Sequence, residues 1–170
     1  MDVAVIGSGP AGMAAAIRAK QSGAENVAVM ERAEQMGGLL HQCVHNGFGL
    51  LYFNEDLTGP EYAHRFIEKA MDVKVTPLLE TMVTKISPER EITAISSQQG
   101  YITFTPKSIV LAMGCRERSR GALNIPGTRP AGILTAGTAQ RFVNVEGFVP
   151  GKKIVILGSG DIGMIMARRL

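Results

Sequence analysis

Residues 3–31 read VAVIGSGPAGMAAAIRAKQSGAENVAVME. A short apolar run led by β-branched residues, 3–6, gives way to GSGPAG, which is Gly7, Ser8, Gly9, Pro10, Ala11 and Gly12. An alanine-rich helical stretch, 13–20, ends near Gly23, and a second apolar run, 27–30, leads straight into Glu31. Strand, glycine turn, helix and strand in so short a span predict a minimal βαβ unit. Each glycine has a reason to be there. Gly7 makes the tight turn, Gly9 lets backbone approach a pyrophosphate, and Gly12 lets the helix sit close to the strand. The helix then aims its free N–H groups and partial positive charge at the phosphates. Glu31 lies 24 residues past Gly7, near the spacing at which an acid meets an adenosine ribose, accepting from both hydroxyls and repelling a 2′-phosphate. The competing interpretation is a glycine-rich turn that binds nothing. The strand before, the helix after and the acid beyond argue against it.

Working outward, residues 36–53 read as loop, with Gly37, Gly38, Gly47 and Gly49. Residues 61–71 predict a helix with Tyr62, Phe66, Ile67, Ala70 and Met71 on one face and Pro60 in its first turn. Residues 73–75 predict a short strand. Alternating β-branched residues in 83–86, 92–95 and 101–105, separated by Pro88 and Gln99-Gly100, predict an antiparallel meander. Residues 109–112 return to a buried strand. Residues 116–130, with Gly121, Pro126, Gly127 and Pro130, read as linker, and 135–146 as helix. After Pro150-Gly151, residues 154–157 predict a strand, followed by GSGDIG with Gly158, Gly160 and Gly163, and by a helix still running at Leu170. The opening motif thus recurs 151 residues later. The expected class is α/β: a Rossmann-like domain with a parallel sheet and an antiparallel meander crossover over 1–115, a linker and helix over 116–150, and the start of a second Rossmann-like unit over 151–170.

Composition narrows the partners. The chain has 170 residues, 45% hydrophobic and 19% charged, with mean hydropathy +0.11. That is enough to bury a core, and slightly apolar for a free domain of this size. Net charge is only +3, and Arg116, Arg118, Arg120 and Arg129 are interrupted by Glu117. With 5% aromatics and no Trp, nothing resembles a nucleic-acid footprint. Cys43 and Cys115 form no Cys-x-x-Cys or metal-type spacing, so no metal is expected and reduced cytoplasmic thiols are the default. The N-terminus lacks a basic leader and is broken by glycines. No stretch is long enough to span a bilayer.

Three features point to the kind of dinucleotide. Gly37-Gly38 follows Glu31 closely, as in two-dinucleotide-binding flavoproteins. The meander interrupts the parallel sheet, as in flavin domains. Ala112-Met113-Gly114 resembles the signature that closes such a domain. Together with GGLLHQCVHNGFG (37–49), LTGPEYAHRF (57–66), LAMGCRER (111–118), IPGTRPAGILTAGTAQRFVN (125–144) and GSGDIGMIMARRL (158–170), they resemble the FAD- and NAD(P)-dependent oxidoreductases of the pyridine nucleotide–disulfide reductase superfamily. The resemblance covers the whole chain and is most specific over 114–144. Within it, the chain is similar to the type accompanying anaerobic glycerol-3-phosphate dehydrogenase and to α subunits of dye-linked amino-acid and opine dehydrogenases.

The resemblance implies FAD held by residues 7–12, Glu31, Arg32, Gly38, Leu39 and the backbone near Val83, with Ala112 and Gly114 closing the site. It implies NAD(P)H at Gly158, Gly160 and Gly163. The implied activity is electron transfer between NAD(P)H and a small molecule or partner protein through flavin. The alternatives are an electron-transfer subunit of a multi-subunit dehydrogenase, or a flavin- or nucleotide-binding module without activity. The family's flavin domain is discontinuous, so 1–170 reads as a fragment or one part of a split protein. The residue that would choose NADH or NADPH falls beyond Leu170. Disulfide reductases carry paired cysteines after the glycine pair, whereas here Leu39 and Leu40 follow Gly38 and Cys43 stands alone; nor do residues 134–140 hold a Cys-x-x-Cys. A disulfide relay is therefore not expected. Cys43 and His45 remain weak catalytic candidates, against the plainer interpretation of a small buried thiol and a loop histidine, which applies to His41 also. Cys115 is expected to be structural.

Overall fold

The computed structural model describes all 170 residues. In chain order the elements are β1 (Val3–Ile6), α1 (Pro10–Gln21), β2 (Val27–Met30), a 3-10 turn (Gly38–Gln42), α2 (Leu50–Phe53), α3 (Gly59–Asp72), β3 (Thr76–Leu78), β4 (Thr81–Ile86), β5 (Ile92–Ser96), β6 (Gly100–Phe104), β7 (Ser108–Leu111), α4 (Ala136–Asn144) and α5 (Asp161–Arg169). β3, β2, β1 and β7 form one parallel sheet in that order, and β4, β5 and β6 an antiparallel one. No helix is long and apolar enough to cross a membrane.

Strand alternation builds three layers. Val5, Val27 and Val29 face one way, onto Met13, Ala16 and Ile17 of α1 and Phe66 and Ala70 of α3. Ala4, Ile6 and Met30 face the other way, onto Ile92 of the meander, with Val83 and Phe104 beside it. Burial on both faces explains why β1 and β2 read as continuous apolar runs rather than alternating ones. β1 is central, flanked by β2 and β7 with Val3 opposite both Val27 and Ser108. The crevice at its carboxyl end is where such sheets bind ligands.

Four sequence expectations are corrected. The strand expected at 73–75 forms at Thr76–Leu78: Lys74, at φ +60°, completes the turn out of α3, and Val75 drops into the core instead. Pro77 sits opposite Val29 on an edge strand, where its missing N–H leaves no ladder bond unmade. On α3 the inward residues are Ala63, Phe66 and Ala70, while Met71 is exposed. The loop at 36–53 contains the 3-10 turn and α2. Residues 154–157 form no strand: they pair with nothing, and Val155 and Leu157 are exposed. An apolar run makes a strand only where a sheet edge receives it, and none is present beside these residues.

The end of the sheet opposite the crevice is tied by Asp2. Its Oδ1 lies 2.8 Å from Lys107 Nζ, and Oδ2 accepts from the amides of Glu25 (3.0 Å) and Asn26 (2.8 Å). The Lys107 hydrogen bond first, then that of the Asn26 amide, lowers the Asp2 carboxyl from 3.8 to about 2. A depressed carboxyl stabilises the fold fully above its unfolded value, and the contribution is lost as pH falls through the folded one. Asp2→Asn is therefore expected to lower the melting temperature near neutral pH and to converge on the parent protein as the pH drops from 3.8 to about 2. An equal deficit at both ends of a pH-resolved melting series would show that charge is not the cause.

Candidate dinucleotide-binding site

The crevice is assembled from four chain segments. Gly7 leaves β1 at φ +97°, a conformation that favours glycine, and its amide donates to the Met30 carbonyl at 2.9 Å. A Cβ on Gly7 would overlap the Ala112 carbonyl, so the end of β7 closes directly on the loop. A Cβ on Gly12 would overlap the Gly7 carbonyl, which is how α1 lies against the turn. Gly9 differs from both: its backbone is extended at φ −65°, and a Cβ there would meet nothing within 4 Å. The space before Gly9 is open. Pro10 starts α1 and no side chain caps it. Its amides at Ala11 and Gly12 have no partner within the chain, the first bond of the helix being Met13 N–H to the Gly9 carbonyl at 3.0 Å.

Glu31, at the end of β2, is buried. Its Oε2 accepts from the Ser8 amide (3.1 Å) and the Ser8 hydroxyl (2.5 Å), and its Oε1 from the Ala33 amide (2.9 Å). The Gly37 amide donates to the Ser8 carbonyl at 3.0 Å. Gly38, at φ +56°, presses so close that a Cβ would stand 3.1 Å from Gly9 Cα. The Thr81 amide donates to the Glu31 carbonyl at 2.8 Å, bringing in the start of β4, while Val83 packs into the layer beneath. Gly7, Ser8, Gly9, Gly12, Glu31, Gly38 and Ala112 thus meet in one place. At its margin, Pro10, Ala11, Arg32, Leu39 and Gly114 are exposed.

The imidazole candidates bond to nearby carbonyls and the Cys43 thiol is half-buried. Burial pushes the Cys43 thiol up from its ordinary value, which disfavours the nucleophilic thiolate. The Cys43 carbonyl accepts from the Gly59 amide at 2.9 Å. His45 Nδ1 pairs with the Asn46 carbonyl at 2.9 Å and its ring lies 5.3 Å from that of Phe48. His41 Nε2 pairs with the Met36 carbonyl at 2.5 Å. Cys115 is exposed rather than packed.

The second glycine motif reproduces the loop of the first. Gly158 stands at φ +118°, Gly160 is extended at φ −71°, and a Cβ on Gly163 would come within 2.6 Å of the Gly158 carbonyl. The Met164 amide reaches the Gly160 carbonyl at 3.0 Å, as Met13 does that of Gly9. The two loops thus share one backbone form.

Several linking residues gave no signal in the sequence. The Asn144 amide donates to the Gln42 carbonyl at 2.8 Å and accepts from Arg169 Nε at 2.7 Å, tying α4 and α5 to the 3-10 turn. Gly59 is required for close approach, since a Cβ would lie 2.5 Å from the carbonyls of both Leu40 and Cys43. Only its place beside Pro60 at a helix start hinted at a special role.

Comparison with known proteins agrees with this architecture. The family described as pyridine nucleotide-disulphide oxidoreductase matches residues 1–170. An opine oxidase subunit of Agrobacterium tumefaciens (strain Ach5) is 30% identical over 99% of this chain and 34% of its own length. Thioredoxin reductase of Mycolicibacterium smegmatis is 31% identical over 96% of this chain and 49% of its own. The HcnB subunit of hydrogen cyanide synthase from Pseudomonas protegens is 26% identical over 98% and 35%. The chain thus spans a third to a half of the length of these relatives. Among solved structures, L-proline dehydrogenase from P. horikoshii superposes with TM-score 0.72 at 24% identity, over 97% of this chain and 32% of that one, a likeness of fold. Thioredoxin reductase of Lactococcus lactis superposes with TM-score 0.56 at 28% identity, over 74% and 38%. Fold, glycine loops and matched length lead to one assignment: the chain belongs to the pyridine nucleotide-disulphide oxidoreductase family.

Proposed function

We propose that this chain holds the FAD of a flavin-dependent oxidoreductase, and that the parent protein moves electrons between NAD(P)H and a small molecule or partner subunit. The observation that carries the reading is the open space before Gly9, bounded by the uncapped start of α1, by Gly38, and by the buried carboxylate of Glu31. A methyl group on Gly9 would meet no protein atom within 4 Å, so the backbone there is open to the approach of a pyrophosphate. Gly9 and the amides of Ala11 and Gly12 receive the phosphates, Glu31 the adenosine ribose, and Gly38 lets the chain cross close above. Residues 7–12, Glu31, Arg32, Gly38, Leu39, Val83, Ala112 and Gly114 are the proposed flavin-side residues over domain 1–115. Gly158, Gly160 and Gly163 begin the proposed NAD(P)-binding unit at 151–170. Bound FAD would supply hydride and electron transfer, which no side chain here provides.

Anaerobic photometric titration of the full-length protein tests the proposal. One equivalent of NADH or NADPH is expected to bleach the flavin absorbance. A full-length protein that neither carries nor takes up flavin would overturn it. Two of the relatives are by name parts of larger enzymes, which favours a partner polypeptide as the other electron carrier, and co-purification of a second polypeptide is the corresponding observation.

Cys43→Ser is expected to keep its nicotinamide-driven flavin reduction rate within a few-fold, because the thiol is half-buried, is pushed toward its protonated form, and lacks a second cysteine nearby in sequence. Stopped-flow comparison with the parent protein is the check. A loss of about a hundredfold, or about 2.7 kcal/mol of barrier, would place the sulfur in the chemistry.

A further inference from the structure

The contact between Ser8 and Glu31 is unusually complete. A carboxylate offers about four acceptor positions, two on each oxygen. Both positions on Glu31 Oε2 are taken, by the amide and the hydroxyl of Ser8, and one on Oε1 is taken by the Ala33 amide. Ser8 is fully buried and Glu31 is 7% exposed, so water does not compete for these bonds. We propose that Ser8 sets how this site reads ribose: by occupying Oε2 it leaves the carboxylate one free acceptor position, on Oε1, so the adenosine ribose is held through one hydroxyl rather than two. The proposal rests on the dinucleotide-binding reading of the crevice and sharpens it.

Ser159 occupies the same place in the second glycine loop, and that loop adopts the same backbone with the Ser159 side chain exposed. The serine hydroxyl is therefore not what builds the turn. Its bond to Glu31 fixes the carboxylate. Ser8 is a positioning residue, acting on the ligand through Glu31.

The test uses full-length protein stripped of flavin, with ADP, 2′-deoxy-ADP and 3′-deoxy-ADP measured by calorimetry. One deoxy analogue is expected to bind within about threefold of ADP. The other is expected to lose about tenfold or more, as the absence of a hydrogen bond to a charged group requires. Ser8→Ala keeps the amide but frees one position on Oε2, so the two losses should become similar. Ser8→Thr, which retains a hydroxyl, should restore the asymmetry. Equal losses in the native protein overturn the proposal while leaving the binding site intact, as does an asymmetry unchanged in Ser8→Ala. If neither variant folds, the native ratio alone decides. Failure of ADP itself to bind removes the dinucleotide reading, and the proposal with it.

Discussion

Gly9→Ala is expected to yield full-length protein that folds as well as the parent and purifies without flavin. The backbone at Gly9 is extended, with φ −65° and ψ −177°, where alanine is at ease, and the added methyl meets no protein atom within 4 Å. The folded state therefore loses nothing. The methyl instead occupies the space in which a pyrophosphate must touch backbone. Holding the phosphates off by a methyl's width weakens their bonds to the helix amides and their attraction to its positive end. The expected weakening is about a hundredfold or more, equivalent to about 2.7 kcal/mol. Visible absorbance at purification, calorimetric affinity for FAD, and melting temperature of the flavin-free forms test both halves. Full yellow occupancy would remove Gly9 from the binding site, and a large drop in the melting temperature of the flavin-free form would mean the fold, not the ligand, is the source.

The same substitution three residues on should act in the opposite way. In Gly12→Ala the new Cβ would overlap the Gly7 carbonyl and stand 3.3 Å from the Ala112 side chain. Neither backbone can swing aside, because Gly7 is bonded to Met30 and Ala112 to Ile6 across the sheet. Helix α1 must lift, and with it Met13, Ala16 and Ile17, which fill the core beneath. Overpacking typically costs about 1–3 kcal/mol and more where rigid elements must separate. Against a total stability of about 5–15 kcal/mol, a loss at the upper end should collapse soluble yield and shift the urea midpoint sharply down. Gly163→Ala meets a wider gap, 2.6 Å, and should cost less. A Gly12→Ala protein with an unchanged midpoint would show that α1 does not need its close seat.

The two glycines illustrate what was legible beforehand. Residues 3–31 were readable because every local signal agreed: apolar runs of strand length, a helix without β-branched crowding, and glycines at the only places the turn demands them. The meander was readable from its alternation. What escaped was whatever depends on a distant partner. Pro77 argues against a strand by its own chemistry, yet β3 runs through it because the sheet ends there. Residues 154–157 argue for a strand, yet nothing receives them. Ser8 was visible as a loop residue, but its hydroxyl bond to a carboxylate 23 positions away was not. The crevice's glycines and its acid were legible because they form a pattern. The bond that orients the acid was not, because any small polar residue in that loop position looks the same on paper.

The position of β1 has a consequence during synthesis. β2 follows β1 closely in the chain, but the other flank of β1 waits for Ser108–Leu111. At roughly 5–20 residues per second, that flank stays open for about 4–16 s after β2 has left the ribosome. Through that interval Val3–Ile6 presents an apolar strand with a free row of amides and carbonyls, which invites pairing with other nascent chains. The chain is thus most vulnerable between the emergence of β2 and that of Ser108–Leu111, and the step that ends the danger is the arrival of β7.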